Sequence, residues 1–238
     1  MLPNLQSPEF KTTLPSTGEE VFFRPFLVKE EKKLLMALEG NDVEEIQNAI
    51  LGVLTSCVRG NATPIEHMAF FDIEYLFLQL RSKSVNNIVK FNLRHSKEGD
   101  CEFLTPFELN LDDVEVVGNE DYDNKIMMND SVGVVLSYPT ISKANSLSGL
   151  ADPSSNVDQI FKSIANNIDC VFDEESVYES ATLEEKIDFL EKLTKGQFDK
   201  IINFYNKMPG LYHKIEYVCE ACDEAEVVEI KGLVNFFG

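Results

Sequence analysis

The amino-acid sequence predicts an α+β fold, in which helices and antiparallel strands form separate blocks along the chain. Apolar residues recur at helical spacing over 28–84 and from 157 onward, whereas the period shortens to two between 87 and 140. Such blocks, without strand-helix-strand alternation, are typical of α+β proteins. The chain has 238 residues, 44% of them hydrophobic, which is enough for one large core or two small ones.

The first block is predicted to contain a hairpin and three helices within residues 1–86. Two strand-like runs flank the turn Pro15–Gly18, where glycine supplies the turn conformation. The first helix is expected to place Leu34, Leu35 and Leu38 on one face, behind the charged run 29–33. A second helix follows over 43–57, and Asp72 is the expected N-cap of a third helix that ends near residue 84.

The middle block, residues 87–140, is predicted to be an antiparallel β region. Alternating runs supply the candidate strands, namely IVKFNL, CEFLTPFEL, VEVV, NKIMM and VGVVLSY. Residues 141–156 are small and polar, so we expect a linker there.

The last block, residues 157–238, is predicted to be helical until a terminal hairpin. A first amphipathic helix is expected to extend to Ile168, and Thr182 with Glu185 forms a capping box ahead of the next one. A third helix ends before Pro209, and the tail then predicts a β-hairpin whose turn contains Cys219 and Cys222. This hairpin could pack back on the middle block.

Charge limits the classes of function. Lys and Arg total 21 against 41 Asp and Glu, giving a net charge of −20, and residues 111–238 carry 25 of the acidic groups. Nucleic-acid binding is disfavoured, because a phosphate backbone is held by clustered basic residues. We find neither a membrane-spanning stretch nor a signal peptide, so we expect a protein made and used in a cytoplasm.

Two parts of the sequence carry a family resemblance. They are the run FDIEYLFLQLRSKSVNN, preceded by VKEEKKLLMALEG, and a late block with Phe189, Phe198, Tyr205, MPGLYHKIEYVC and a terminal GLVNFF. Together they resemble the baseplate protein family of T4-type contractile-tailed bacteriophages.

The resemblance implies a function in assembly of the baseplate hub, inside the infected host cell and through contacts with hub or tail proteins. It implies no enzyme. We expect a chaperone-like helper, since a strongly charged surface remains soluble and can be steered to a basic client. A permanent hub subunit, present in the virion tail, is the alternative, and homo-oligomerisation is left open.

Cysteine spacing suggests a metal site. Two thiolates in a Cys-x-x-Cys turn can both reach one zinc ion, but a structural site needs four ligands. His95 and Cys101 would have to complete a site with Cys219 and Cys222. A zinc-ribbon binding module is therefore one hypothesis, and a metal-free turn with reduced thiols is the favoured one.

Other chemistry finds no support in the sequence. HExxH, GxSxG, Walker-type and GxGxxG motifs do not occur. The remaining candidates are partner-binding residues: Phe236 and Phe237 near the terminus could anchor another protein, and Arg81 lies on a largely apolar helix. Arg81 is expected either to pair with an internal carboxylate or to face a partner.

Overall fold

The structure, a computed structural model, describes residues 7–40, 42–94, 103–118, 123–143 and 157–233. The chain forms two compact units. The first unit combines residues 1–65, 71–117 and 210–238, and the second combines 66–70 and 118–209. The sequence-based segments 1–86, 87–140 and 157–238 remain predictions, and only residues 141–143 of the predicted linker are described.

A small antiparallel sheet begins the first unit. Strands β1 (Phe10–Thr13) and β2 (Glu20–Phe23) form the predicted hairpin, and β3 (Val58–Arg59) pairs with β2. Gly18 has a φ of 71°, a conformation that costs glycine little. The hairpin prediction is confirmed.

Three helices follow in this unit: α1 (Val28–Gly40), α2 (Val43–Cys57) and α3 (Phe70–Ser84). The prediction that Asp72 caps α3 is wrong, because the helix begins two residues earlier. The Asp72 carboxylate instead accepts hydrogen bonds from the Ser16 backbone N–H, at 3.0 Å, and from the Ser16 hydroxyl. Its donors therefore come from the hairpin turn, not from the helix end.

The other described strands of the first unit form two further antiparallel sheets. Strands β4 (Ile88–Leu93) and β5 (Thr105–Asn110) pair with each other. Strand β6 (Glu115–Val117) pairs with β11 (Gly210–Val218), which pairs in turn with β12 (Ala225–Lys231). The C-terminal hairpin is thus hydrogen-bonded to a strand of the middle block.

In its described residues, the second unit consists of a four-stranded antiparallel sheet and three helices. Its strands, in spatial order, are β10 (Val177–Tyr178), β9 (Ile168–Phe172), β8 (Gly133–Leu136) and β7 (Lys125–Met127). Its helices are α4 (Val157–Asn166), α5 (Leu183–Glu191) and α6 (Lys195–Asn206). One apolar cluster forms the core, comprising Met128, Val134, Leu136, Ile164, Ala165, Ile168, Leu190, Ile201 and Phe204.

Two of these strands correct the sequence prediction. The pattern from residue 157 onward predicts helices up to the terminal hairpin, with Ile168 on the first helix, whereas β9 and β10 interrupt the helices. Strand β9 is fixed by pairing with β8, as between Cys170 and Val135, and such long-range pairing is not visible in a five-residue run. The predicted capping box of Thr182 and Glu185 is confirmed.

Helices and antiparallel sheets are therefore combined without parallel strand-helix-strand units in the described residues, which agrees with the α+β prediction. In the same part of the chain, none of the helices has the length and apolar character needed to span a bilayer.

Candidate functional site

The Cys-x-x-Cys segment lies in the turn between β11 and β12. Asp223, with a φ of 57°, donates its N–H to the Cys219 carbonyl at 2.9 Å, and the Cys219 N–H bonds to Glu224 O. Cys219 is fully buried whereas Cys222 is exposed. The two thiols thus differ in their access to solvent.

The other proposed zinc ligands, His95 and Cys101, lie outside the described residues, as do Phe236 and Phe237. Within the described ranges, no cluster of three or more His, Cys, Asp or Glu side chains has an arrangement suited to a metal ion. The four-ligand zinc site and the terminal aromatic anchor therefore remain predictions.

Arg81 is half-buried on α3. Burial of the guanidinium lowers its pKa by more than the negative charge of Glu31 on α1 raises it, so the pKa is lowered overall. Both alternatives for Arg81, an internal carboxylate pair and a partner contact, therefore remain predictions.

The helix that carries much of the family resemblance, α3, is mainly a structural element. Leu76, Leu78 and Leu80 are almost completely buried. Its polar side chains bind other segments of the first unit: the Tyr75 hydroxyl lies 3.1 Å from that of Thr12, and Glu74 accepts the Leu233 N–H at 2.8 Å. The signature in this helix therefore describes how the unit folds, and its buried leucines do not form a surface for a partner.

Helix α1 exposes the largest group of apolar side chains on a single described helix. The exposed fractions are 80% for Val28, 54% for Leu35, 61% for Met36 and 50% for Leu38. The sequence pattern places Leu34, Leu35 and Leu38 on one face, but Leu34 is half-buried and the other two are exposed. Scattered exposed apolar residues are ordinary, whereas several on one helix mark a candidate interaction site.

Helical geometry arranges these side chains as a stripe. Successive residues turn by about 100°, so Leu35 returns to within about 20° of Val28, and Leu38 lies about 60° further round. The opposite face contains Ala37 and Glu30, which are buried, and α1 packs against α2. The apolar stripe is thus directed away from the interior of this unit.

Lysines border one side of the stripe. Lys29, Lys32 and Lys33 are all exposed, and by the same helical rotation they lie on the side of Val28 opposite to Leu38. Met36 falls among them, exposed Glu39 falls between Val28 and Lys32, and half-buried Glu31 falls between Leu35 and Leu38. We call the seven residues Val28, Lys29, Lys32, Lys33, Leu35, Met36 and Leu38 the α1 surface.

A buried ion pair fixes the start of α1. The Glu30 carboxylate accepts the Leu27 N–H at 2.7 Å and lies 3.1 Å from Arg24 Nη2, and Arg24 also donates to the carbonyls of Pro25 and Ser56. Burial by itself would raise the pKa of Glu30, but the Leu27 hydrogen bond and the Arg24 charge lower it overall. The carboxylate is therefore held ionised while it caps the helix.

The second unit contains a shallow cavity of about 300 Å³ lined by Asn124, Leu136, Ser137, Tyr138, Asp169 and Phe204. Lys143 Nζ lies 2.7 Å from Ser137 Oγ and 3.2 Å from Asp169 Oδ1. The charges of Lys143 and Asp169 therefore balance each other, and this pair does not require a ligand to neutralise it.

Sequence patterning did not reveal the α1 surface, although a signal was present. Apolar residues occur at 28, 34, 35, 36 and 38, which is more than one buried face of a 13-residue helix requires.

Comparison with known proteins supplies the family. A family model described as "T4 bacteriophage base plate protein" matches residues 7–238, a range that includes the α1 surface, the Cys-x-x-Cys turn and all described elements. No curated protein and no solved structure matches the chain. The chain belongs to the T4 bacteriophage base plate protein family.

Proposed function

We propose that this baseplate protein is an assembly factor of the baseplate hub, which binds another hub or tail protein in the cytoplasm of the infected cell. The family match over residues 7–238 carries the proposal. The α1 surface supports it, since an exposed apolar stripe on a firmly capped helix is suited to binding another protein.

The proposed activity is binding, without a catalytic step. The two described histidines are consistent with this proposal: His67 Nδ1 lies 3.0 Å from the Ser142 hydroxyl, and His213 Nδ1 lies 3.2 Å from the Asp113 carbonyl. Neither of these contacts forms a nucleophile and base oriented by a third group, and His95 lies outside the described residues.

A helper and a permanent subunit are expected to differ in the chemistry of their surfaces. The net charge of −20 favours the helper, because it keeps an unassembled protein soluble and speeds encounters with a basic client. A permanent subunit is expected to bury a large apolar interface.

The test is mass spectrometry of two samples from one infection: proteins that co-purify with a tagged copy of the chain, and finished virions. We expect a hub protein in the first sample and no copy of this chain in the second. An untagged infection is the control for nonspecific capture. Presence in virions at fixed stoichiometry would overturn the helper in favour of a permanent subunit, and absence of every tail protein from both samples would overturn both.

A further inference from the structure

Strand β12 is the longest edge strand among the described residues. It has seven residues at one side of the sheet that it forms with β11 and β6, whereas the other described edge strands have two to six. Natural proteins commonly protect a sheet edge with a short strand, a β-bulge or a proline. The register of β12 on β11 contains no bulge and the strand contains no proline, so its backbone can accept a further strand.

The hydrogen bonds of the hairpin show which backbone groups of β12 face outward. The Cys219 N–H donates to the Glu224 carbonyl at 2.9 Å, and the Gly232 N–H donates to the Leu211 carbonyl at 3.1 Å. The register is unbroken between these two contacts. In an antiparallel pair, bonded and non-bonded positions alternate, so the even-numbered residues of β12 bond to β11 and the odd-numbered ones direct their N–H and C=O groups to the open edge.

Three odd-numbered residues, Ala225, Val227 and Glu229, form the β12 edge. Their N–H and C=O groups make no hydrogen bond to any described residue, and Val227 is 52% exposed. A row of donors and acceptors at every second residue is matched by an extended polypeptide segment, which adds a strand to the sheet. The backbone of the β12 edge therefore specifies the conformation of its ligand.

The end of the β12 edge next to the turn is acidic. Residues 220–226 contain no lysine or arginine but four acidic side chains, namely Glu220, Asp223, Glu224 and Glu226. Both lysines of the hairpin are already in ion pairs with glutamates of their own strands. Charge on an edge disfavours pairing with a strand of like charge. The same charge is complementary to lysine or arginine on an incoming strand.

We propose that the β12 edge binds an extended segment of another tail protein as an additional strand, with Lys or Arg side chains near the turn and an apolar side chain beside Val227. This inference rests on the proposed function and names the chemistry of the partner. The backbone groups of the edge supply the hydrogen bonds, and the acidic end selects a basic segment.

Two other occupants fit the β12 edge less well. A second copy of the chain would bring a further net charge of −20 and the same acidic turn to the contact. A nucleic acid would be repelled, because its phosphates require basic groups. A basic extended segment of a different protein avoids both repulsions.

The first experiment locates the partner. The photo-crosslinking residue p-benzoylphenylalanine replaces Val227 in the full chain during infection, and mass spectrometry identifies the attached peptide. Val157, which is 64% exposed on α4, is the control position. We expect position 227, and not 157, to yield a peptide of another tail protein that contains Lys or Arg beside alternating apolar residues. A peptide of the same chain, a peptide without basic residues or no adduct would overturn the proposal.

The second experiment tests the backbone contact. Val227→Pro removes an outward N–H without removing a hydrogen bond to β11, and proline is tolerated at such edge positions. Val218→Pro is the matched control: Val218 is 55% exposed, and its N–H lies on the opposite edge of the same hairpin, beyond the residues that pair with β6.

A synthetic peptide of the crosslinked segment is titrated against the purified full chain and both proline variants. We expect Kd to rise by at least about tenfold in Val227→Pro and to be unchanged in Val218→Pro. Far-UV circular dichroism and urea unfolding verify that both variants are folded. Equal Kd values for the wild type and a folded Val227→Pro would overturn the proposal.

The third experiment tests the charge without altering the backbone of the strand. Glu220→Lys in the turn should raise Kd for the same peptide by about fivefold, whereas Glu191→Lys, an exposed position at the end of α5, should leave it unchanged. A peptide with Glu in place of its Lys and Arg should lose binding to the wild type. Equal affinity of the two peptides for the wild type would overturn the selection of a basic segment.

The failure of this inference is distinguishable from the failure of the proposed function. If tail proteins co-purify equally well with folded Val227→Pro and with the wild type, the assembly function stands and the β12 edge is not its site. If the wild type captures no tail protein, the function itself fails.

Discussion

Two buried carboxylates in this protein have pKa values shifted in opposite directions, because their hydrogen-bond partners differ in charge. Glu30 is almost completely buried but has a positive partner and a backbone donor, and its pKa is lowered. Asp72 is also buried but receives only neutral donors from Ser16, so desolvation dominates and its pKa is raised. Ionisation of the carboxyl group therefore stabilises the fold at Glu30 and destabilises it at Asp72.

Glu30→Ala is expected to lower the free energy of unfolding by about 3 kcal/mol, because it leaves the Arg24 charge partly buried and the start of α1 uncapped. Urea unfolding measures this. Glu20→Ala is the matched control, since the Lys11–Glu20 pair is exposed, and it should change stability by less than about 0.5 kcal/mol. Equal losses in both variants would contradict the role of the buried pair.

The pH dependence at Glu30 follows from its lowered pKa. Its stabilising effect is complete above the ordinary value of 4.5 and is lost as pH falls through the lowered folded-state pKa. The stability difference between the wild type and Glu30→Gln should therefore narrow below pH 4.5. A difference that widens on acidification would show that the sign is wrong.

Asp72 should behave in the opposite way. Asparagine can retain a hydrogen bond from the Ser16 N–H without the buried charge, so Asp72→Asn should gain stability relative to the wild type as pH rises above 3.8 and through the raised pKa. Asp72→Ala, which leaves the Ser16 donors unsatisfied, should lose about 2 kcal/mol at neutral pH. Urea unfolding at several pH values distinguishes these effects, and a pH-independent difference for Asp72→Asn would refute the assignment.

Residue-scale chemistry at the Cys-x-x-Cys turn is also testable. With Cys219 buried and Cys222 exposed, we expect the purified chain to contain no stoichiometric zinc. Elemental analysis checks this. About one zinc per chain, lost in Cys219→Ser, would instead support the four-ligand site with His95 and Cys101.

At the scale of elements, pairing between distant strands produced a strand that the local sequence pattern did not predict. Residues 168–172 continue the apolar character of α4, and only pairing with β8 makes them a strand. Gly133 of β8 lies opposite Phe172 in that pairing, and a Cβ at position 133 would overlap the phenyl ring. The close approach of strand and ring thus depends on glycine.

Gly133→Ala should destabilise the second unit by about 2 kcal/mol, because the Phe172 ring must move away from its packed position. Gly52→Ala is the matched control: it lies inside α2, where an added methyl group would meet open space, so it should stabilise by about 0.5–1 kcal/mol. Thermal unfolding of both variants measures the contrast. A stabilising Gly133→Ala would mean that the β8–β9 register is different.

At the scale of the whole molecule, residues 118–209 leave and re-enter the first unit at neighbouring positions. Val117 and Gly210 are paired partners in β6 and β11, and Gly118 closely approaches Pro209. The segment has its own apolar core. A segment with adjacent ends and a separate core has the character of an insertion.

The isolated fragment 118–209 should therefore fold cooperatively, as followed by circular dichroism and urea unfolding. Fragment 80–171, of the same length, is the control; it divides both compact units and should show no cooperative transition. A noncooperative 118–209 fragment would show that the second unit depends on residues 66–70 or on the first unit.

Helix α1 illustrates how much of the candidate site could be predicted from the sequence. Its period and bounds follow from local pattern, because helical spacing is a property of neighbouring residues. The local pattern did not predict which face of the helix is buried. The buried face contains Glu30 and Ala37, and Glu30 is paired there with Arg24, a residue outside the helix. The sequence therefore contains every residue of the α1 surface without indicating which of them are exposed.

By itself, the sequence determined the α+β class, the N-terminal hairpin, most helices, the capping box at Thr182 and the family, since each depends on residues close together in the chain or on the pattern of residue types. Tertiary structure alone decided that β9 is a strand, that Asp72 binds a hairpin turn, that β11 pairs with β6 and that α1 exposes its leucines. All four depend on contacts between distant segments, whose partners are chosen by packing and hydrogen bonding in three dimensions and are not specified by the local pattern.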